Sequence, residues 1–130
     1  MAIYLLDTSV IIDALNGKKD RNALLLGLVE GGHTLACCPV NVAEIYAGLR
    51  PKEEERTASL LNSLQFFPIT FAIAELAGRL KQIHGGRGKS LTIPDTMIAA
   101  VAITNQLTLL TDNTKDFPMR DLQLYSLPQA

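Results

Sequence analysis

The chain has 130 residues, a formal net charge of −1, 48% hydrophobic and 19% charged residues. That length suits one compact domain, residues 1–130, and is too short for two, while the apolar share excludes a disordered chain. The near-neutral balance excludes a protein that holds nucleic acid by bulk positive charge alone, although a carboxylate site filled by cations reverses the local field without altering the total.

Residues 2–6 (AIYLL) form a short apolar strand ending at Asp7, and residues 9–17 (SVIIDALNG) a short helix stopped by Gly17. Residues 22–32 carry apolar side chains at helical spacing and end on a glycine pair; residues 34–38 (TLACC) are a second buried strand, closed by Pro39. A helix then runs from residue 42 to 50 before Pro51, and another over residues 52–65, with acids near its start where the helix dipole favours them. Residues 66–69 (FFPI) are a third strand. In residues 70–84, Ile73, Leu76, Ala77, Leu80 and Ile83 recur every three or four positions, the mark of an amphipathic helix. Residues 85–90 are a loop, 94–106 a nearly all-apolar helix, 107–111 a fourth strand, 113–121 a loop and 122–127 an edge strand. Apolar strands alternating with helices imply an α/β fold with a mostly parallel sheet covered on both faces.

No stretch approaches the ~20 apolar residues of a membrane span, and the start lacks a secretory pattern. The adjacent Cys37 and Cys38 cannot easily bridge each other and read as buried strand residues. These features predict a reducing, cytoplasmic setting without membrane contact.

The stretch GGRGKS, residues 85–90, looks like a phosphate-cradling loop. Such a loop needs a glycine where Ile83 stands, and must leave a strand and enter a helix, whereas this one follows a helix. It reads instead as a connector, with Arg79, Lys81, Arg87 and Lys89 as a local basic patch for substrate phosphates.

The acids are placed more tellingly. Asp7 follows the first strand, Glu44 lies six residues after TLACC, Asp95 opens the apolar helix and Asp112 follows the fourth strand. In a parallel sheet the carboxyl ends of all strands share one edge, so these distant acids converge. Singly, each also fits a local role. Asp7 is a candidate cap, Asn41-x-x-Glu44 and Thr92-x-x-Asp95 resemble capping boxes, and Asp112 suits a turn. Together, in apolar surroundings, they repel one another unless a cation neutralises them. An all-oxygen donor set points to Mg²⁺ or Mn²⁺. Thr8 and Ser9 are placed to hydrogen-bond Asp7 or a phosphate; His33 and His84, in glycine-flanked segments, are expected to face solvent.

The segments LLDTSVIID, NVAEIYAGL, IPDTMIAAVAI and LLTDNTKDF, in this order through nearly the whole chain, resemble the PIN-domain ribonucleases, specifically the VapC-type toxins of toxin–antitoxin pairs. The resemblance implies a three-layer α/β/α sandwich with a Mg²⁺- or Mn²⁺-binding acidic pocket that hydrolyses RNA to products with 5′-phosphate and 3′-hydroxyl ends. It implies that Asp7 and Asp95 are the principal metal ligands and that Glu44 acts through water or a second metal. In TDNTKDF, Thr111, Asn113 and Asp116 match the family's fourth motif. Asp116 is then the first choice for the fourth acid, with Asp112 one step early as the second, and Thr111 and Asn113 contact substrate. A cognate antitoxin and a homodimer are further implications. Two rival readings are a non-catalytic RNA- or partner-binding module of the same fold, and a receiver-like phosphoacceptor domain. The second needs paired acids after its first strand and a lysine after its last, and this chain offers one acid and no lysine there.

Overall fold

The computed structural model describes residues 1–85 and 91–127. In chain order these form β1 (Ile3–Leu6), α1 (Thr8–Leu15), α2 (Arg21–Glu30), β2 (Thr34–Cys37), α3 (Pro39–Ala47), a 3-10 turn (Pro51–Glu53) and α4 (Glu54–Asn62). There follow β3 (Gln65–Phe66), α5 (Phe71–His84), α6 (Ile93–Asn105), β4 (Thr108–Thr111), a second 3-10 turn (Thr114–Asp116) and β5 (Gln123–Ser126).

The five strands form one sheet of order β3-β2-β1-β4-β5, parallel throughout. Leu6 of β1 is level with Leu110 of β4, and Leu5 with Ala36 of β2, so the carboxyl ends of the three central strands lie on one edge. Successive strand residues face opposite ways. Leu5, Ala36 and Leu109 accordingly pack with Ile73, Ala77 and Leu80 of α5 and with Ile98 to Ala102 of α6. Leu6, Cys37 and Leu110 pack with Val10, Ile11 and Ala14 of α1, Leu25 of α2, Ile45 of α3 and Leu61 of α4. The result is the expected α/β/α sandwich. Leu5, Leu6, Leu109 and Leu110 are fully buried, and each contributes about 1.5–3 kcal/mol over an exposed leucine.

Boundaries differ from expectation where proline or glycine decides them. Pro39 closes β2 and also opens α3, since its fixed φ and missing N–H suit the first helical position. Pro68 has no N–H to donate, so β3 ends at Phe66 and only the Phe67 amide still reaches across, to the Cys37 carbonyl at 2.9 Å. Gly17, at φ +66°, takes the left-handed conformation that ends α1. The segment expected as loop around residue 115 contains the 3-10 turn Thr114–Asp116. His33 and His84 are half-buried, contrary to expectation: His33 Nδ1 accepts from the Ala2 amide at 3.1 Å and its ring meets Tyr4 edge-on.

Candidate functional site

From β1 the chain moves to β2 on one side of the sheet; β4 lies on the other side of β1 and leads outward to β5. The connections leaving β1 and β4 therefore diverge and leave a crevice at the carboxyl ends of these two strands, the place where open parallel sheets bind ligands. Asp7 is the first residue after β1 and Thr111 the last of β4. The Asp7 amide donates to the Leu110 carbonyl at 3.0 Å, which locks the two strand ends together.

Asp7 is the N-cap of α1: its Oδ1 accepts from the Thr8 amide at 2.9 Å. Its Oδ2 accepts from the Thr111 hydroxyl at 2.7 Å, and the Thr111 oxygen in turn accepts from the Asn113 amide at 3.0 Å. Only 8% of Asp7 is exposed. Burial pushes its carboxyl above the ordinary carboxylate range; the bonds from Thr111 and Thr8 pull it down, and the charges of Asp95 and Glu44 push it up. Acids 37 and 88 residues further along the chain thus act on Asp7.

Glu44 is exposed on α3, yet its Oε1 accepts from the Thr8 hydroxyl at 2.7 Å. The Thr8 oxygen accepts from Asn41 Nδ2 at 2.9 Å; the same nitrogen donates to the Leu6 carbonyl at 3.1 Å, and Asn41 Oδ1 accepts from the Cys38 amide at 2.8 Å. Asn41 is therefore not the cap of a box with Glu44. It is the third residue of α3, reaching back to the helix start, because the helix begins three residues earlier than the periodicity suggests. Thr92 and Asp95 do form the expected capping box at the start of α6, with both bonds at 3.3 Å. Asp7 is thus a cap and Asp95 the third-residue partner in a capping box, and the charge of Asp95 still acts on Asp7; the two roles are compatible.

Asp112 is occupied elsewhere: Arg21 Nη2 donates to its Oδ1, and Lys19 Nζ lies 3.8 Å from its Oδ2. The backbone of Lys19 and Asp20 turns through the left-handed region, at φ 57° and 55°, to bring Lys19 and Arg21 to this acid. Asp116 is half-buried in its 3-10 turn, and neither it nor Asp112 is among the charges that act on Asp7. Ser9 Oγ is buried without a hydrogen-bond partner among the described residues, so the expected bond to Asp7 is absent. Arg79 is paired with Glu75 at 2.8 Å and Lys81 donates to the Leu91 carbonyl, so half of the expected basic patch is engaged structurally. Arg87 and Lys89 lie outside the described residues. Two buried residues escaped the sequence reading, Asn41 and Arg21, at 0% and 2% exposure. The signal for Arg21 was a cation at a helix N-terminus, where the dipole disfavours it.

A family model described as PIN domain matches residues 4–121. The chain belongs to the PIN-domain family. Among curated relatives, Ribonuclease VapC19 of Mycobacterium tuberculosis is 32% identical over 120 residues, covering 92% of this chain and 96% of the relative. Ribonuclease VapC2 of Rickettsia felis is 31% identical over 124 residues, covering 88% and 90%. Among solved structures, VapBC2 from Rickettsia felis bound to a promoter DNA fragment superposes with a TM-score of 0.83 at 23% identity, covering 97% of this chain and 99% of that one. A toxin–antitoxin complex from Klebsiella pneumoniae superposes with a TM-score of 0.77 at 28% identity, covering 95% and 99%. The receiver-like reading falls here, since such domains order their strands 2-1-3-4-5 and this PIN domain does not.

No three His, Cys, Asp or Glu side chains among the described residues of this PIN domain form a ready metal cage. The donor set nevertheless fits a hard cation. Asp7 carries one hydrogen bond per oxygen and keeps lone pairs free, and Asp95 and Glu44 add charge within reach. Cys38 lies close enough to sense Glu44 and Asp7, and burial pushes its thiol up. Mg²⁺ takes one or two carboxylates and retains water, a requirement that a partial cage meets.

Proposed function

We propose that this chain is a metal-dependent endoribonuclease, the toxin of a toxin–antitoxin pair, that hydrolyses RNA phosphodiester bonds at the β1–β4 crevice. The observation that carries the reading is the buried Asp7 at the switch point of the sheet, neighboured by Glu44 through Thr8 and acted on by the charge of Asp95. The relatives named as ribonucleases align over about nine-tenths of the chain, which supports it.

Asp7 and Asp95 hold Mg²⁺ or Mn²⁺, with Glu44 beside them and Asp116 as the fourth acid. Asp112 pairs with Arg21 and Lys19, which favours Asp116 over it for that place. A bound divalent ion supplies Lewis acidity and a water of lowered pKa. Thr111 fixes the Asp7 carboxylate through Oδ2, and the Thr8 amide fixes Oδ1, so the acid meets its ligand without reorganisation. The Thr8 hydroxyl and the Asn113 backbone amide serve this positioning through Glu44 and Thr111, and the exposed Asn113 side chain is left for substrate. In the net reaction water adds to phosphorus and the bond to the 3′ oxygen breaks, leaving 5′-phosphate and 3′-hydroxyl ends.

The deciding experiment incubates purified protein with a mixed RNA pool in Mn²⁺, in Mg²⁺ and in EDTA, and maps the fragment ends. Metal-dependent fragments with 5′-phosphates support the nuclease; RNA retained without cleavage under every condition indicates the non-catalytic module. Asp116→Asn is expected to lower cleavage by about 10–100-fold with little change in Tm, whereas Asp112→Asn is expected to lower Tm while sparing most activity. Equal loss of cleavage in both would return Asp112 to the site.

The solved neighbour described as a toxin–antitoxin complex supports an antitoxin partner. A homodimer and a cytoplasmic location complete the proposal; among the described residues no helix is long and apolar enough to cross a membrane. Co-expression with a small partner encoded beside the gene, followed by size exclusion, tests both assembly states.

A further inference from the structure

We infer that Asn41 and Thr8 are a positioning pair that holds the Glu44 carboxylate in one place beside Asp7, so that the acidic pocket is assembled before any cation enters. The inference rests on the metal-site reading above and assigns to Asn41 a role that no motif suggested.

The Leu6 carbonyl can only accept and the Cys38 amide can only donate, so the Asn41 amide has one permitted orientation: Nδ2 toward Leu6, at 3.1 Å, and Oδ1 toward Cys38, at 2.8 Å. With Nδ2 fixed, its second hydrogen points at Thr8 Oγ1, 2.9 Å away. Thr8 then has a lone pair filled and its single proton turned to Glu44 Oε1, at 2.7 Å. A hydroxyl that is otherwise a free rotor becomes a donor of one direction. Asn41 is fully buried and Thr8 8% exposed, so water does not compete for either.

The exposed end of the relay gives it a purpose. Glu44 stands on the solvent-facing side of α3, where an unrestrained glutamate samples several rotamers. The bond from Thr8 selects the rotamer that directs one carboxylate oxygen inward, and its charge then reaches both Asp7 and the thiol of Cys38. The anchor points are the Leu6 carbonyl at the end of β1 and the Cys38 amide just after β2, two paired strands, so the start of α3 is tied to the sheet beside Asp7.

The test uses Thr8→Val, which keeps the side chain's shape and removes its hydroxyl, Thr8→Ser, which keeps the hydroxyl, Glu44→Ala, and the Thr8→Val/Glu44→Ala double variant. Mn²⁺ affinity is read by titration calorimetry on the full chain without RNA, and cleavage is read separately. Thr8→Val is expected to weaken Mn²⁺ binding by about 10–100-fold, Thr8→Ser to recover most of it, and the double variant to bind no worse than Glu44→Ala alone. Additive losses from Thr8→Val and Glu44→Ala overturn the inference, as does a Thr8→Val protein that binds Mn²⁺ like the parent. Asn41→Ala risks the fold because it orphans two buried backbone groups; where its Tm permits, it should show the same non-additivity with Glu44→Ala. If the parent binds Mn²⁺ and shows this coupling yet cuts no RNA, the pair stands and the nuclease reading falls. If the parent cuts RNA and the coupling is absent, the reverse holds.

Discussion

Asp7 lives in tension: the fold buries it, sets two other acids against it and then holds it with two hydrogen bonds. Because its carboxyl sits above the ordinary range in the folded chain, the fold binds the proton more tightly than the unfolded chain does. That contribution is complete at low pH and disappears as pH rises through the raised pKa, so near neutrality the ionised acid costs stability. Asp7→Asn mimics the protonated acid. In EDTA its Tm is expected to match the parent's in acid and to exceed it progressively toward neutral pH, while cleavage falls by about 10²–10³-fold; a Tm lower than the parent's at pH 7 counts against the electrostatic account. Thr111→Val removes the bond that lowers the Asp7 carboxyl, so the acid limb of the cleavage profile should move to higher pH and metal affinity should drop by about 10–100-fold. A pH profile that only shrinks in height would show that Thr111 does nothing to the titration of Asp7.

Among the elements, α2 is the one whose sequence argues against its own position, because it opens on Arg21. The compensation is tertiary: Arg21, 2% exposed, meets Asp112 at the end of β4. Arg21→Ala leaves that carboxylate largely buried beside Lys19 alone and is expected to cost about 3–5 kcal/mol in urea denaturation, part of which Arg21→Met/Asp112→Leu should restore. The contrast shows what sequence reading sees. Elements governed by local rules were legible: the 3.6-residue stripe of α5, the glycine stop of α1, the Thr92–Asp95 box, the alternation of strand and helix. The place of Asp7 was legible too, since it follows from parallel strands sharing one edge. Asn41 and the pairing of Asp112 were not, because each depends on contacts across more than 30 residues that no periodicity encodes. An asparagine that buries completely and one that caps a helix look the same in a single sequence.

At the scale of the whole molecule, cation binding and stability are one equilibrium. A ligand that binds only the folded state adds about 2.7 kcal/mol at a hundred times its dissociation constant. Mg²⁺ or Mn²⁺ is therefore expected to raise the Tm of the parent in a concentration-dependent way and EDTA to reverse it, with no response from Asp7→Asn or Asp95→Asn. A Tm indifferent to both ions would place the cation elsewhere or remove it. The bond between Asp7 and Thr111 closes a separation of 104 residues and belongs to a strand pair that forms only after β4 exists. A polypeptide still being translated therefore carries its first acid for most of its synthesis without the partner strand that completes the crevice. The pocket is thus a property of the completed β1–β4 pairing, and no fragment that stops short of Thr111 can hold Asp7 as the folded chain does.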